Sequence, residues 1–326
     1  MTDTPRPILT IVGPTAGGKT SLALALATQL PGGGECICAD SMQVYRSMDI
    51  GTAKPTAAER ATVRHHVLDV VEPDDESFSV AQWLKLAHDA TRDVRSRNQW
   101  PIVVGGTNLY VKALLEGLFD GPPADEALRL QLQPLPLAEL RARLLAVDPE
   151  AAAMIHANDR RRTIRALEVH AQTGTPISEL QQEWRSAQPR RDAIVIGLEY
   201  PATDINRRIN ARVKQMMEDG LLEEVHQLYT AERLGVTARA ALGYAQLIEH
   251  LEGKISLDDA VEAIKIRTRR YAKQQRTWLR RFRVYPGSMW FDAAAHDIES
   301  IAGQVCDALR QRSGVPGAGA DTDRGE

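Results

Sequence analysis

Gly13, Pro14, Thr15, Ala16, Gly17, Gly18, Lys19 and Thr20 read G-x-x-x-x-G-K-T. No other stretch of the 326-residue chain constrains its fold as strongly. Such a loop turns its backbone N–H groups onto phosphate oxygens only where a strand enters it and a helix leaves it. Here the largely apolar run Ile8–Val12 leads in, and a helix-favouring run, residues 21–30, leads out. Lys19 adds a positive charge, Thr20 offers a hydroxyl to Mg²⁺, and a helix N-terminus favours anions. The bland alternative is a tight strand–helix turn without a ligand, and the flanking pattern argues against it.

The composition is that of a globular protein with ample core: 43% hydrophobic and 25% charged, enough for one large or two modest domains. There are three cysteines; Cys36 and Cys38 alternate in a strand-like run, so reduced buried thiols are expected rather than disulfides or a zinc site. The N-terminus is polar and Pro-rich, and no window approaches 18 uninterrupted apolar residues. The expectation is a cytoplasmic monomer with no membrane span.

Taken in order, residues 1–7 read as a loose lead-in, 8–12 as a central parallel strand and 20–30 as its helix. Residues 35–39 read as a second buried strand that delivers Asp40 and Ser41 to its carboxyl end, where open α/β sheets bind ligands. Residues 42–55 are polar, with Gly and Pro punctuation, and read as a loop over the site. Residues 67–71 read as a further strand. Ser79 is a helix N-cap for a helix to about residue 98. Residues 102–104 form another buried strand ending in Gly105, Gly106 and Thr107, a second turn suited to phosphate. The pair Pro122-Pro123 marks a boundary, and residues 122–190 lack a strand pattern. The fold class is therefore α/β, a P-loop-type parallel sheet flanked by helices, with an all-helical insertion. The core comprises 1–121 and 191–312, the insertion 122–190, and 313–326 are a disordered tail.

Two basic clusters stand out against a net charge of −3. Between Lys265 and Arg283 there are nine Lys or Arg residues and no acid, with Tyr271, Trp278 and Phe282 interleaved. On a helix that pattern suits a phosphate backbone; the plain alternative is a solvated face. The second cluster is Arg160, Arg161, Arg162 and Arg165 behind Asn158-Asp159. Arginines at a helix start oppose the macrodipole, which favours an external anion. Arg208 and Arg212 lie four apart on one helix face and are placed to clamp a diphosphate or to pair with acids such as Asp204. Asp40 is a candidate general acid, general base or Mg²⁺ ligand. His65 and His66 read as structural or surface residues.

With these residues in hand, the sequence resembles the tRNA dimethylallyltransferase family, which prenylates adenosine beside the anticodon. The shared blocks, in family order, are GPTAGGKT (13–20), DSMQVYRSMDIGTAKP (40–55), HHVLDVVEP (65–73), VVGGTNLYVKALLEGL (103–118), NDRRRTIRALEV (158–169), ALGYAQ (241–246) and KQQRTWLR (273–280). The resemblance implies that the loop with Lys19 holds the diphosphate of dimethylallyl diphosphate rather than ATP, with Mg²⁺ at Thr20. It implies that Asp40 meets the exocyclic amine of a flipped-out adenine and that Thr107 orients the leaving group or the base. It places tRNA contacts at Asp40, Ser41, Met42 and Gln43; at Arg161, Arg162, Thr163, Ile164 and Arg165; and at Ala240, Ala241, Leu242, Gly243, Tyr244 and Ala245. A last set is Lys273, Gln274, Gln275, Arg276, Thr277, Trp278, Leu279 and Arg280. The partners would be the tRNA anticodon stem-loop and dimethylallyl diphosphate. Ala245 stands where a basic residue is common, and Asn108 where Gly or Met is. Gly17 stands where Ser is common, a change expected to be harmless. The rival is a small-molecule or nucleoside kinase using ATP at the same loop, which would not need the basic helix. A GTPase-like RNA-binding switch would need an N-K-x-D motif, which the chain does not show.

Overall fold

The computed structural model describes residues 5–118, 121–185 and 190–312. The expected tail at 313–326 and the start of the lead-in lie outside these residues. Six strands form one sheet: β1 (Ile8–Val12), β2 (Gly34–Cys38), β3 (His65–His66), β4 (Trp100–Val104), β5 (Ala193–Glu199) and β6 (Met289–Asp292). Their order is β3-β2-β4-β1-β5-β6, and every pair is parallel. Parallel strands covered on both faces need apolar side chains on both, and all five residues of β1 and of β2 are buried. On one face Leu9, Ile11, Ile102 and Ile196 pack with Leu22 and Leu26 of the helix Lys19–Gln29 and with Ile301 and Val305 of the helix Ile298–Arg312. On the helix Val80–Ser96, Ser79 caps the N-terminus in a reciprocal capping box with Gln82. From that helix the buried Trp83 stacks on Tyr110 at 4.5 Å and donates Nε1 to Cys38 O (2.8 Å), fixing the end of β2.

Two expectations change. The apolar run at 67–71 is not a strand, because Val67 and Asp69 have φ of 61° and 55°. The pairing strand is instead His65–His66, and Val71 makes only an isolated bridge to Tyr45. The Asp69 carboxylate faces Lys54 (2.5 Å) and Arg60 (2.7 Å), which hold it below the usual carboxylate range against its own desolvation. The loop at 42–55 is also less polar than its sequence suggests, since Val44, Tyr45 and Met48 are buried. Edge strand β6 and the helices Ala57–Thr62 and Ile298–Arg312 were not among the expected elements.

The chain divides into two compact units, Met1–Lys112 with Arg191–Glu326, and Ala113–Arg190. The sequence placed the first junction near residue 121, nine residues later. Among its described residues the second unit is helical, with a core of Leu132, Leu140, Leu144, Ile164, Leu167 and Val169. Within it Asp148 caps the helix Pro149–Met154 at Ala151 N (2.8 Å) and accepts from Ser178 Oγ (2.7 Å). The fully buried Glu168 is ion-paired with Arg165 (2.6 Å) and Arg129 (2.9 Å).

One close approach sets the spacing of β2 and β4 at their carboxyl ends. A Cβ on Gly105 would lie 2.1 Å from Ala39 O and 2.2 Å from Ala39 C. Both are backbone atoms, so no side-chain motion relieves the clash. Gly105→Ala is therefore expected to destabilise the protein by about 1–3 kcal/mol, read as a lowered denaturation midpoint with unchanged m-value.

Candidate functional site

The phosphate loop leaves the carboxyl end of β1, and the turn at residues 105–107 leaves that of β4 beside it. Gly18 caps the helix Lys19–Gln29 with φ 79°, a left-handed conformation that glycine takes without strain. Gly17 lies so close to Pro14 O that an added Cβ would be 2.8 Å away, so the loop is closed to the size of glycine here. A serine at 17 would therefore require this backbone to shift. Lys19 Nζ donates to Gly13 O (3.1 Å) and Pro14 O (2.9 Å). Burial and then the Arg212 cation pull the Lys19 ammonium down to about 8, with Asp40 opposing.

A cavity joins these parts. It is lined by residues 15–20, Asp40, Gln43, Gly105, Gly106, Arg212, Tyr271 and Gln275, together with Cys38, Thr52, Ala53, Pro55 and His65. Asp40 Oδ1 accepts from Met42 N (3.0 Å), and a Cβ on Gly106 would lie 3.0 Å from Oδ2. The carboxylate thus faces the second glycine turn. Thr107 Oγ1 accepts from Ser41 N (2.8 Å) and donates to Ser41 Oγ (3.1 Å). Thr107 N also donates to Ala39 O (3.0 Å), so Thr107 holds the backbone on both sides of Asp40. Arg212 lines the cavity, whereas Arg208 meets the phosphate loop itself. Arg208 Nε donates to Ala16 O (2.7 Å) and its guanidinium lies over the Tyr200 ring, bracing the loop.

The long helix Leu257–Phe282 contributes more than a basic face. Its buried stripe runs through Ala260, Ile264, Ala272, Gln275, Leu279 and Phe282. Gln275 Oε1 accepts from Thr15 N (2.8 Å), and its Nε2 donates to Gly106 O (3.0 Å). Tyr271 OH donates to the same carbonyl (3.0 Å). Gln275, placed by the resemblance among the tRNA contacts, thus bridges the two glycine turns from inside. The sequence did hold a signal for it, an amide at a core position of an amphipathic stripe.

His65, which reads from the sequence as structural or surface, belongs to this part of the structure. It lines the cavity, and Val63 O lies 2.7 Å from its Nδ1, which makes Nδ1 the protonated nitrogen. Its Nε2 is buried and has no hydrogen-bond partner among the described residues. Desolvation lowers the imidazole below its ordinary value. His66, by contrast, contacts Glu35, which also pairs with Arg97 at 2.8 Å.

The other expected RNA-facing residues separate by burial. On the long helix Lys273, Gln274, Thr277 and Arg280 are exposed and Leu279 is buried. In the second unit Arg161 and Arg162 are exposed, Thr163 and Ile164 are core, and Arg165 pairs with Glu168 and donates to Pro122 O. In the segment 240–245 Ala240 is exposed, whereas Ala241, Gly243 and Tyr244 are buried.

Comparison with known proteins is consistent along the chain. The family model for IPP transferase matches residues 43–282. The tRNA dimethylallyltransferase of Anaeromyxobacter sp. (strain K) is 44% identical over 302 residues, 91% of this chain and 96% of that protein. That of Shouchella clausii is 46% identical over 295 residues, 88% and 92% of the two chains. The crystal structure of the tRNA isopentenylpyrophosphate transferase from Bacillus halodurans is 38% identical with a TM-score of 0.68, covering 95% of this chain and 98% of that one. A eukaryotic dimethylallyltransferase crystallised acting on tRNA is 28% identical with a TM-score of 0.82, covering 95% and 80%. On this agreement of sequence, fold and site, the chain belongs to the tRNA dimethylallyltransferase family.

Proposed function

We propose that the protein transfers a dimethylallyl group from dimethylallyl diphosphate to the exocyclic amine of the adenosine 3′-adjacent to the tRNA anticodon. One observation carries this reading. A single helix presents cations to solvent and, through Gln275 and Tyr271, closes on the phosphate cavity. A nucleic-acid face and a diphosphate site are thereby built on one rigid element, which a small-molecule kinase would not need.

In this reading the N–H groups of the loop and Lys19 hold the diphosphate, where charge grows as the allylic C–O bond breaks. Arg212 lines the same cavity and adds a second cation. Thr20 and Asp40 both line it, and their hard oxygens suit Mg²⁺, which characteristically takes one or two protein oxygens besides phosphate and water. Thr20 would hold the ion, which would supply neutralisation of the departing diphosphate. Asp40, kept in place by Thr107 and by Met42 N, accepts the amine hydrogen bond and then the proton as nitrogen bonds to carbon. The test is incubation of the protein with bulk tRNA and radiolabelled dimethylallyl diphosphate. Label in N6-(dimethylallyl)adenosine of the digested tRNA is expected. Phosphoryl transfer from ATP to a small molecule, without label in tRNA, would favour the kinase.

The cationic surfaces carry their own expected result. Arg280→Ala and Arg162→Ala should weaken tRNA binding and each reduce the salt slope by about 1, with little change in the single-turnover rate. Binding titrations at several salt concentrations measure this, and unchanged slopes would return both residues to a solvated face.

A further inference from the structure

The cavity wall contributed by Gln43, Thr52, Ala53 and Pro55 belongs to a stretch with no helix and no ladder strand of its own. From the inside, Gln43 Nε2 holds it by donating to Thr52 O (2.9 Å) and Ala53 O (3.1 Å). From the outside it is held by a residue about 175 positions away. The Glu224 carboxylate, on the helix Leu221–Thr230, accepts three consecutive backbone N–H groups: Asp49 (2.9 Å), Ile50 (2.7 Å) and Gly51 (3.0 Å). The Tyr244 hydroxyl is a fourth donor to the same carboxylate. Tyr244 is fully buried, and its ring is packed against Gly51 so tightly that a Cβ there would lie 2.5 Å from Cε2.

Three backbone donors on one carboxylate form a charge-assisted anchor, stronger than neutral hydrogen bonds. The anchored residues immediately precede Thr52 and Ala53, which line the cavity. Burial, then the Glu224 anion, push the Tyr244 phenol above its ordinary value, so it remains a donor. The cavity wall therefore takes its position from the helices Leu221–Thr230 and Tyr244–Leu251 as well as from its own Gln43.

We propose that Glu224 and Tyr244 are positioning residues of the transferase, a latch that sets the 49–53 wall against the phosphate loop, with Tyr244 acting through Glu224. The proposal rests on the reading of the cavity as the donor site. It predicts a specific kinetic pattern. Displacement of a site wall by an ångström can lower turnover by roughly 10²-fold. Glu224→Ala and the shape-preserving Glu224→Gln should therefore lower kcat/KM for dimethylallyl diphosphate by about that much, with tRNA affinity unchanged. Tyr244→Phe keeps the ring and removes one donor, so its loss should be smaller, about tenfold or less. Because both residues act on one wall, Glu224→Ala with Tyr244→Phe should be no worse than Glu224→Ala alone.

The full-length variants would be assayed with tRNA and radiolabelled donor below their melting temperatures, and amide exchange followed at Ile50 and Gly51. Faster exchange at these amides, together with the non-additive kinetic loss, supports the latch. Kinetics at wild-type level in the folded Glu224 variants, or additive losses in the double variant, would overturn it. A wild-type protein that transfers no label refutes the donor-site reading instead. The latch is then judged by exchange alone, and unchanged protection of Ile50 and Gly51 in Glu224→Gln overturns it.

Discussion

Asp40→Asn is expected to fold, to bind tRNA and donor, and to lose about 10²–10⁴ in single-turnover rate, the usual range for a general base. Asp40 lies two residues past Cys38, the buried end of β2, with Oδ1 fixed by Met42 N and Oδ2 directed at the Gly106 turn. The adenine amine is a weak nucleophile because its lone pair is delocalised into the ring. Orientation against the allylic carbon therefore matters more than basicity alone. Asparagine keeps the shape and one acceptor oxygen but removes the charge. A role as metal ligand predicts a different result: weaker donor binding and partial rescue by high Mg²⁺. Single-turnover rates and donor affinity across a Mg²⁺ series separate the two roles, and an unimpaired rate removes Asp40 from the chemistry.

Lys19→Ala is expected to lower kcat/KM for the donor by about 10²–10³, the worth of one electrostatic contact to developing charge. The ammonium lies 2.9 Å from Pro14 O at the mouth of the helix. Its pH dependence gives a second reading. Because burial and Arg212 lower it to about 8, the wild-type residue is charged below that pH and loses its proton as pH rises through it. Profiles of kcat/KM report the free enzyme. They should fall above pH 8 in the wild type, and the limb should be absent in Lys19→Ala. A variant within about threefold of wild type would remove Lys19 from the leaving-group site.

Local patterns carried the parts of this structure that were legible in the sequence. The apolar run before Gly13, the Ser79 cap and the proline-punctuated insertion each signal their conformation within a few residues. The failures are all non-local. The run at 67–71 is apolar like a buried strand, but its backbone turns at Val67 and Asp69, and Asp69 pairs with Lys54 and Arg60. Gln275 reaches Gly106 across 169 positions, and Glu224 reaches the 49–51 amides across about 175. No periodicity within either helix names such a partner. His65 and His66 are neighbours in the sequence, yet one lines the cavity and the other contacts Glu35, a difference set by which side of β3 each takes.

The strand order has a consequence for how the chain is made. In the finished sheet the two edges are β3 and β6, only two and four residues long, and short edges offer little to another chain. On the ribosome the position is different. β1 emerges first, gains β4 near residue 104, and cannot gain β5 until residues 193–199 have followed the whole helical insertion. At 5–20 residues per second the open side of β1 waits on the order of ten to forty seconds. A strand buried along its whole length is thus a nascent-chain liability, and the insertion, with a core of its own, is translated during that exposure.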